Sequence, residues 1–99
     1  MKLRLIDAAR DDLREAFDWY EGQTPNLGST FLDQFEHAQR AIREYPNAWH
    51  PLGSGVRRCR LGQFPYGIIY VSRGDTIFVL AVLHERRRPK SWRKRLKSL

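Results

Sequence analysis

Leu3 and Leu5 alternate with Lys2 and Arg4, a period of two that predicts a short strand over Lys2–Ile6. From Asp7 the period changes. Ala9, Leu13, Ala16, Phe17 and Tyr20 recur at helical spacing and give one apolar stripe to a helix near Ala8–Glu21. Asp7 is the expected N-cap, because a carboxylate there accepts from the free amides of the first turn. Asp11 and Asp12 follow where the helix dipole favours negative charge. Gly22 is the expected stop. Thr24 as cap and Pro25 in the first turn open a second helix near Pro25–Glu44. Phe31, Phe35, Ala38, Ile42 and Tyr45 stand four, three, four and three apart, the clearest periodic signal in the chain. Pro46 ends it. The connection between the two helices is short, so they pack as an antiparallel hairpin.

After Pro46 the helical period is lost. Asn47–Gly55, with Pro51, Gly53 and Gly55, reads as loop. Val56–Leu61 is a basic strand. Tyr66–Ser72 and Thr76–Leu83 are apolar at successive positions, the pattern of strands covered on both faces. Arg73-Gly74-Asp75 between them is a tight hairpin turn. From His84 the chain is a basic tail, broken at Pro89, with Ser91–Leu96 suited to a short helix. The order β-α-α-β-β-β defines an α+β fold: an antiparallel sheet, N-terminal strand included, with a helical hairpin on one face. Residues 1–99 read as one domain with a basic tail over 84–99.

Composition narrows the class. The 99 residues are 41% hydrophobic and 12% aromatic, enough for a packed core and too much for a disordered chain. A single cysteine, Cys59, excludes an intrachain disulfide framework. No apolar run has the length of a membrane span or the form of a signal peptide, so the expected location is the cytoplasm. The net charge of +7 is unevenly placed. Residues 1–50 hold six Lys/Arg against nine Asp/Glu, a net −3, whereas residues 51–99 hold twelve against two, a net +10. That asymmetry suits a polyanion or an acidic protein. It suits a membrane surface less, because the tail lacks a continuous apolar face.

Two basic groups carry the candidate chemistry. Period-two geometry places Val56, Arg58 and Arg60 on one face of their strand and Arg57, Cys59 and Leu61 on the other. If Cys59 and Leu61 face the helices, Arg58 and Arg60 project together from the opposite side. Like charges side by side cost energy without an anionic partner, and a guanidinium fork binds phosphate or carboxylate bidentately. The second group is His84, Arg86, Arg87, Arg88 and Lys90, which the meander can bring onto the same surface, followed by Trp92 and Arg93. Trp92 either stacks on a base or locks the tail to the body. His84 is either a structural histidine or a general acid–base group, its ordinary pKa of about 6.5 suiting it to proton transfer. His37, His50 and Cys59 read as structural. No cluster has metal-ligand spacing and there is no phosphate-binding glycine loop, so neither metal nor cofactor is expected.

The ordered set Ala8-Ala9-x-Asp11-x-Leu13, Trp19-Tyr20, Phe31-Leu32, Pro46, Val56-Arg57-Arg58, Phe64-Pro65-Tyr66-x-Ile68-x-Tyr70, Val79-Leu80-Ala81-Val82 and His84-x-Arg86-Arg87-x-Pro89-x-x-Trp92 spans nearly the whole chain. It resembles the RelE/ParE toxin superfamily, in particular its ParE-like (plasmid stabilisation) branch. The resemblance implies the toxin of a type II toxin–antitoxin system, neutralised by a cognate antitoxin. ParE-like members poison DNA gyrase. RelE-like members cleave messenger RNA on the ribosome by acid–base chemistry. An RNase reading makes His84, Arg58, Arg60, Arg86 and Arg87 catalytic. A gyrase reading makes Arg58, Arg60, Arg86, Arg87, Arg88, Lys90, Trp92 and Arg93 contact residues. The strands from Val56 onward hold no lysine and the C-terminus no tyrosine, both frequent in the RNases, which favours gyrase. A non-enzymatic nucleic-acid-binding module explains the charge but not the ordered set.

Overall fold

The structure is a computed structural model that describes residues 1–87 and 91–99. The elements are β1 (Lys2–Leu5), α1 (Asp7–Gln23), α2 (Leu27–Glu44), β2 (His50–Gly53), β3 (Val56–Arg60), β4 (Tyr66–Arg73), β5 (Thr76–His84) and α3 (Trp92–Lys97). The five strands form one sheet in the order β1-β5-β4-β3-β2. The α+β class and the hairpin of helices match the sequence reading, with local differences that have physical causes.

The helix ends are the first difference. Ile6, not Asp7, is the cap residue of α1, and Asp7 is the first helical residue. The helix passes through Gly22 to Gln23, with Thr24 closing it by an N–H bond to the Tyr20 carbonyl. Thr24 therefore ends one helix rather than starting the next. Helix α2 begins after Asn26, which sits in the left-handed region at φ 72°. Its free amides go to a residue of the preceding helix: the Glu21 carboxylate accepts from Asn26 N–H and from Gly28 N–H, each at 3.0 Å. A carboxylate at that end also meets the positive pole of the helix dipole.

The sheet holds the other two differences. β2 lies inside the segment read as loop and pairs antiparallel with β3, with an irregularity between Pro51 and Gly53. Proline is tolerated because β2 is an edge strand. β1 runs parallel to β5, with Lys2 opposite Thr76 and Leu5 opposite Val79, so the sheet is mixed. Alternation fixes which side chains face the core but not strand direction, and the long crossover through α1, α2 and the meander returns β1 in parallel to β5.

The two faces of the sheet are covered differently. Phe31, Phe35 and Ile42 of α2 pack on one face against Cys59, Leu61, Ile68, Tyr70, Ile77, Val79 and Val82. The Tyr70 hydroxyl donates to the Pro46 carbonyl at 2.6 Å and fixes the end of α2 over the sheet. On the opposite face Val56, Ile69, Val71, Leu80, Ala81 and Leu83 pack with Trp92 of α3. Both faces of β4 and β5 are thereby buried, as their apolar runs require.

β1 covers only the first half of β5; its last ladder contact is the Ile6 N–H to the Val79 carbonyl. Beyond it the edge of β5 is closed by side chains. Asp12 of α1 accepts from Val82 N–H at 3.1 Å. Arg95 of α3 donates to both Asp12 oxygens, at 2.5 and 3.3 Å, and to the Leu80 carbonyl at 3.0 Å. One ion pair thus ties a helix from each side of the sheet to its open edge.

Two outcomes follow. Phe35→Ala removes a ring only 4% exposed and should cost about 3–5 kcal/mol in denaturant unfolding. Burial also pushes the Tyr70 phenol up from 10.0 to about 12 and the Cys59 thiol from 9.0 to about 11. Raised folded-state values favour the neutral forms, so this stability is full below the ordinary values and is lost as pH rises through the folded ones. The denaturant midpoint should fall between about pH 9 and 12, and Tyr70→Phe should shrink the loss above pH 10 while costing about 1 kcal/mol at neutral pH.

Candidate functional site

Strand alternation turns Cys59 and Leu61 toward the helices and leaves Arg58 and Arg60 exposed on the opposite side. Antiparallel pairing then sets β3 beside the last residues of the β4–β5 hairpin: Arg60 stands opposite Gly67, Gly67 opposite Leu83, and Tyr66 opposite His84. The result is a cavity of about 150 Å³. Leu52, Ile69 and Leu83 supply its apolar lining, and Arg58, Arg60, Arg87 and His84 its cationic and polar rim.

Gly67 sets the depth of this cavity. A Cβ built there would lie 2.9 Å from both Cγ and Cδ of Arg58. The aliphatic stem of Arg58 therefore lies flat across a position where no side chain stands, and any larger residue would lift it. Arg60 is paired with Glu85, at 3.2 Å, and Arg87 with Glu15 of α1, at 3.6 Å. Both pairs are largely solvent-exposed and so are weak. Arg58 makes no ion pair among the described residues.

His84 closes one end of the cavity. Its Nδ1 accepts the Arg86 backbone N–H at 3.0 Å, which leaves Nε2 as the ring nitrogen available to a ligand. Its ring meets Tyr66 edge to face, with centroids 5.2 Å apart. Burial pushes the Tyr66 phenol above its ordinary value; the Arg87 guanidinium works against that shift, and the Glu15 and Asp12 carboxylates add to it.

Four residues singled out in the sequence, Arg58, Arg60, His84 and Arg87, thus line one cavity. Arg86, Trp92 and Arg93 do not join them. Arg86 is exposed and contributes its backbone amide to His84. Trp92, the first residue of α3, is 3% exposed and packed in the core, so of its two readings the ring locks the tail to the body rather than offering a base-stacking surface. Arg93 is exposed, with its guanidinium 5.6 Å from the Trp92 ring centroid. Arg88 and Lys90 lie outside the described residues. Nor is the tail a uniform contact surface, since Arg95 is held by Asp12.

Sequence reasoning missed Tyr66, Gly67 and Glu85. The signal for Tyr66 was the hairpin itself: counting outward from Arg73-Gly74-Asp75 brings His84 to Pro65, and the irregularity between Ile69 and Tyr70 moves the pairing on to Tyr66.

Comparison with known proteins bears on the family and the fold. The sequence profile described as "ParE toxin of type II toxin-antitoxin system, parDE" matches residues 3–89. The chain is 32% identical over 91 residues to "Toxin ParE2" of Mycobacterium tuberculosis, in two strains, CDC 1551 / Oshkosh and ATCC 25618 / H37Rv. That alignment covers 91% of this chain and 87% of the relative. Among solved structures, a chain of "Chromosomal ParDE TA system from P. aeruginosa" superimposes with a TM-score of 0.61 at 18% identity, over 85% of this chain and 95% of that one.

The two tail arginines should separate in a stability measurement. Arg95→Ala leaves the Asp12 carboxylate, only 10% exposed, without its cation and should cost roughly 2–4 kcal/mol in denaturant unfolding. Arg93→Ala, at an exposed position, should stay within about 0.5 kcal/mol of the parent.

Proposed function

The chain belongs to the ParE toxin family of type II toxin–antitoxin systems, and from that premise we propose that it inhibits DNA gyrase, with the arginine-rimmed face of the sheet as its contact surface. As the toxin of such a pair its partner is a cognate antitoxin. The observation that carries the gyrase reading is the family match over residues 3–89, joined to a cationic cavity with an incomplete acid–base apparatus. Messenger cleavage needs one group to take a proton from the 2′-hydroxyl and another to give one to the leaving oxygen. His84 offers one free ring nitrogen. Tyr66, the nearest second candidate, is pushed toward its neutral form, which disfavours it as a base. Such a surface is better suited to binding than to proton transfer.

The second reading is a RelE-like, ribosome-dependent endoribonuclease, favoured by the placement of His84 and Tyr66 at the end of the arginine-lined cavity. In either case the reading places the protein in the cytoplasm. An acidic, amphipathic antitoxin segment suits the surface, with apolar burial carrying affinity and charge mainly speeding association.

Purified protein incubated with gyrase and relaxed plasmid should block supercoiling. Combined Arg58→Ala, Arg60→Ala and Arg87→Ala should lower potency at least about tenfold, since several charge-assisted contacts are lost together. His84→Ala should change it by less than about threefold, as no proton is transferred. Run in parallel, a translating ribosome with a defined message should keep that message intact. Cleavage that falls about 10²–10⁴-fold in His84→Ala, with gyrase untouched, would establish the endoribonuclease instead.

A further inference from the structure

The cavity holds its own anion. Glu85, on the residue after β5, reaches Arg60 with a carboxylate oxygen 3.2 Å from a guanidinium nitrogen and is itself part of the cavity lining. We infer that this cavity is a phosphate site that the chain keeps partly neutralised with Glu85, and that an incoming phosphate displaces that carboxylate from Arg60. The inference rests on the reading that this face is the toxin's working surface, and it names the ligand chemistry of that face.

Three observations point to phosphate. The first is the number of forks. Arg58, Arg60 and Arg87 share one small cavity, and among the described residues the only carboxylate in its lining is that of Glu85. Carboxylate offers two oxygens in a plane, whereas a phosphate group presents oxygens tetrahedrally and can engage several guanidinium forks at once. The second is the placement of Arg58. Its stem rests in the space left by Gly67, and its guanidinium makes no ion pair among the described residues. A cation built low into a cavity and left unneutralised is poised for an external anion. The third is the lining: Leu52, Ile69 and Leu83 give the cavity an apolar side against which a sugar or base attached to that phosphate can lie. The Glu85 pair is exposed, so its exchange for a better-matched anion costs little. Glu85 therefore acts as an internal competitor that sets a threshold for binding and discriminates against weakly charged anions.

The phosphate can be that of a free nucleotide or of a nucleic-acid backbone, and two probes separate the sources. Binding of the full chain is measured with a deoxymononucleotide by calorimetry and with a labelled single-stranded oligodeoxynucleotide by fluorescence anisotropy, at low and high salt. Glu85→Gln should tighten binding about 5- to 10-fold at low salt, because it frees Arg60 and removes a repulsive charge, and the gain should shrink at high salt. Arg58→Ala should weaken binding about tenfold or more. Gly67→Ala should weaken it in the same direction, and a Glu85→Gln, Gly67→Ala double variant should remain weaker than Glu85→Gln alone. Arg43→Ala, on the exposed end of α2, should change little. Comparable occupancy by both probes identifies the free nucleotide as sufficient, and binding by the oligonucleotide alone identifies the backbone; both support the site. Unchanged or weaker affinity in Glu85→Gln would overturn the inference. So would equal losses in Arg58→Ala and Arg43→Ala, the signature of a diffuse charged surface, or saturation by an acidic peptide with no response to phosphate. The gyrase assay is read separately. Phosphate binding without gyrase inhibition would sink the gyrase reading alone, and gyrase inhibition without phosphate binding would sink this one alone.

Discussion

The β4–β5 pairing is the interaction on which the rest of the molecule depends. It is the longest ladder in the sheet and its strands are buried on both faces. Two strands buried on both faces need cover on both sides, and the chain supplies it from opposite ends. The α1–α2 hairpin closes one face through Phe31, Phe35 and Ile42, and the C-terminal helix closes part of the other through Trp92. β3 and β1 pair to the two sides of the same hairpin. Its open end, where Tyr66 meets His84 and Gly67 meets Leu83, forms much of the candidate site. Core and site are therefore two ends of one element.

This arrangement explains the uneven charge of the sequence. The acidic half supplies the helices, and three of its carboxylates have specific tasks: Glu21 caps α2, Asp12 holds the edge of β5, and Glu15 pairs with Arg87. The basic half supplies β3, the end of β5 and the tail. Some of its charge is spent internally, most clearly at Arg95. Arg58 stands at the other extreme, held low by Gly67 and left without an acidic partner among the described residues. Net charge alone does not distinguish these two arginines; their neighbours do.

Much of the fold was legible because it rests on period. Phe31, Phe35, Ala38 and Ile42 mark the buried face of α2 and are in the core, whereas Tyr45, the fifth position of that pattern, is the C-cap and is 63% exposed. The apolar runs of β4 and β5 announced their double burial, and the alternation in β3 correctly put Arg58 and Arg60 on one side. What was illegible depends on partners distant in sequence or on local exceptions. Thr24 looks like a cap, yet the cap of α2 comes from Glu21 of the preceding helix. Pro51 and Gly53 look like loop residues and belong to an edge strand. Asp12 reads as a dipole-favoured helix residue, and its partners are Val82 and Arg95. In the site, the irregularity at Ile69/Tyr70 hid the Tyr66–His84 pair, and Trp92 gave no sign of which side of the sheet it would enter.

The contact between Asp12 and Arg95 joins positions 83 residues apart, and it constrains the order of assembly in time. The helical hairpin needs only neighbours along the chain and can form early, whereas contacts between distant segments must first overcome loop-closure entropy. The parallel pairing of β1 with β5 is of the same long-range kind. Until Arg95 arrives, the second half of β5 has the unpaired Leu80 carbonyl on its edge and the second apolar face lacks Trp92. An uncovered edge of that kind is a template for pairing with other chains. The basic tail thus does more than carry charge: through Arg95 and Trp92 it covers an edge and a face that would otherwise be open to other chains.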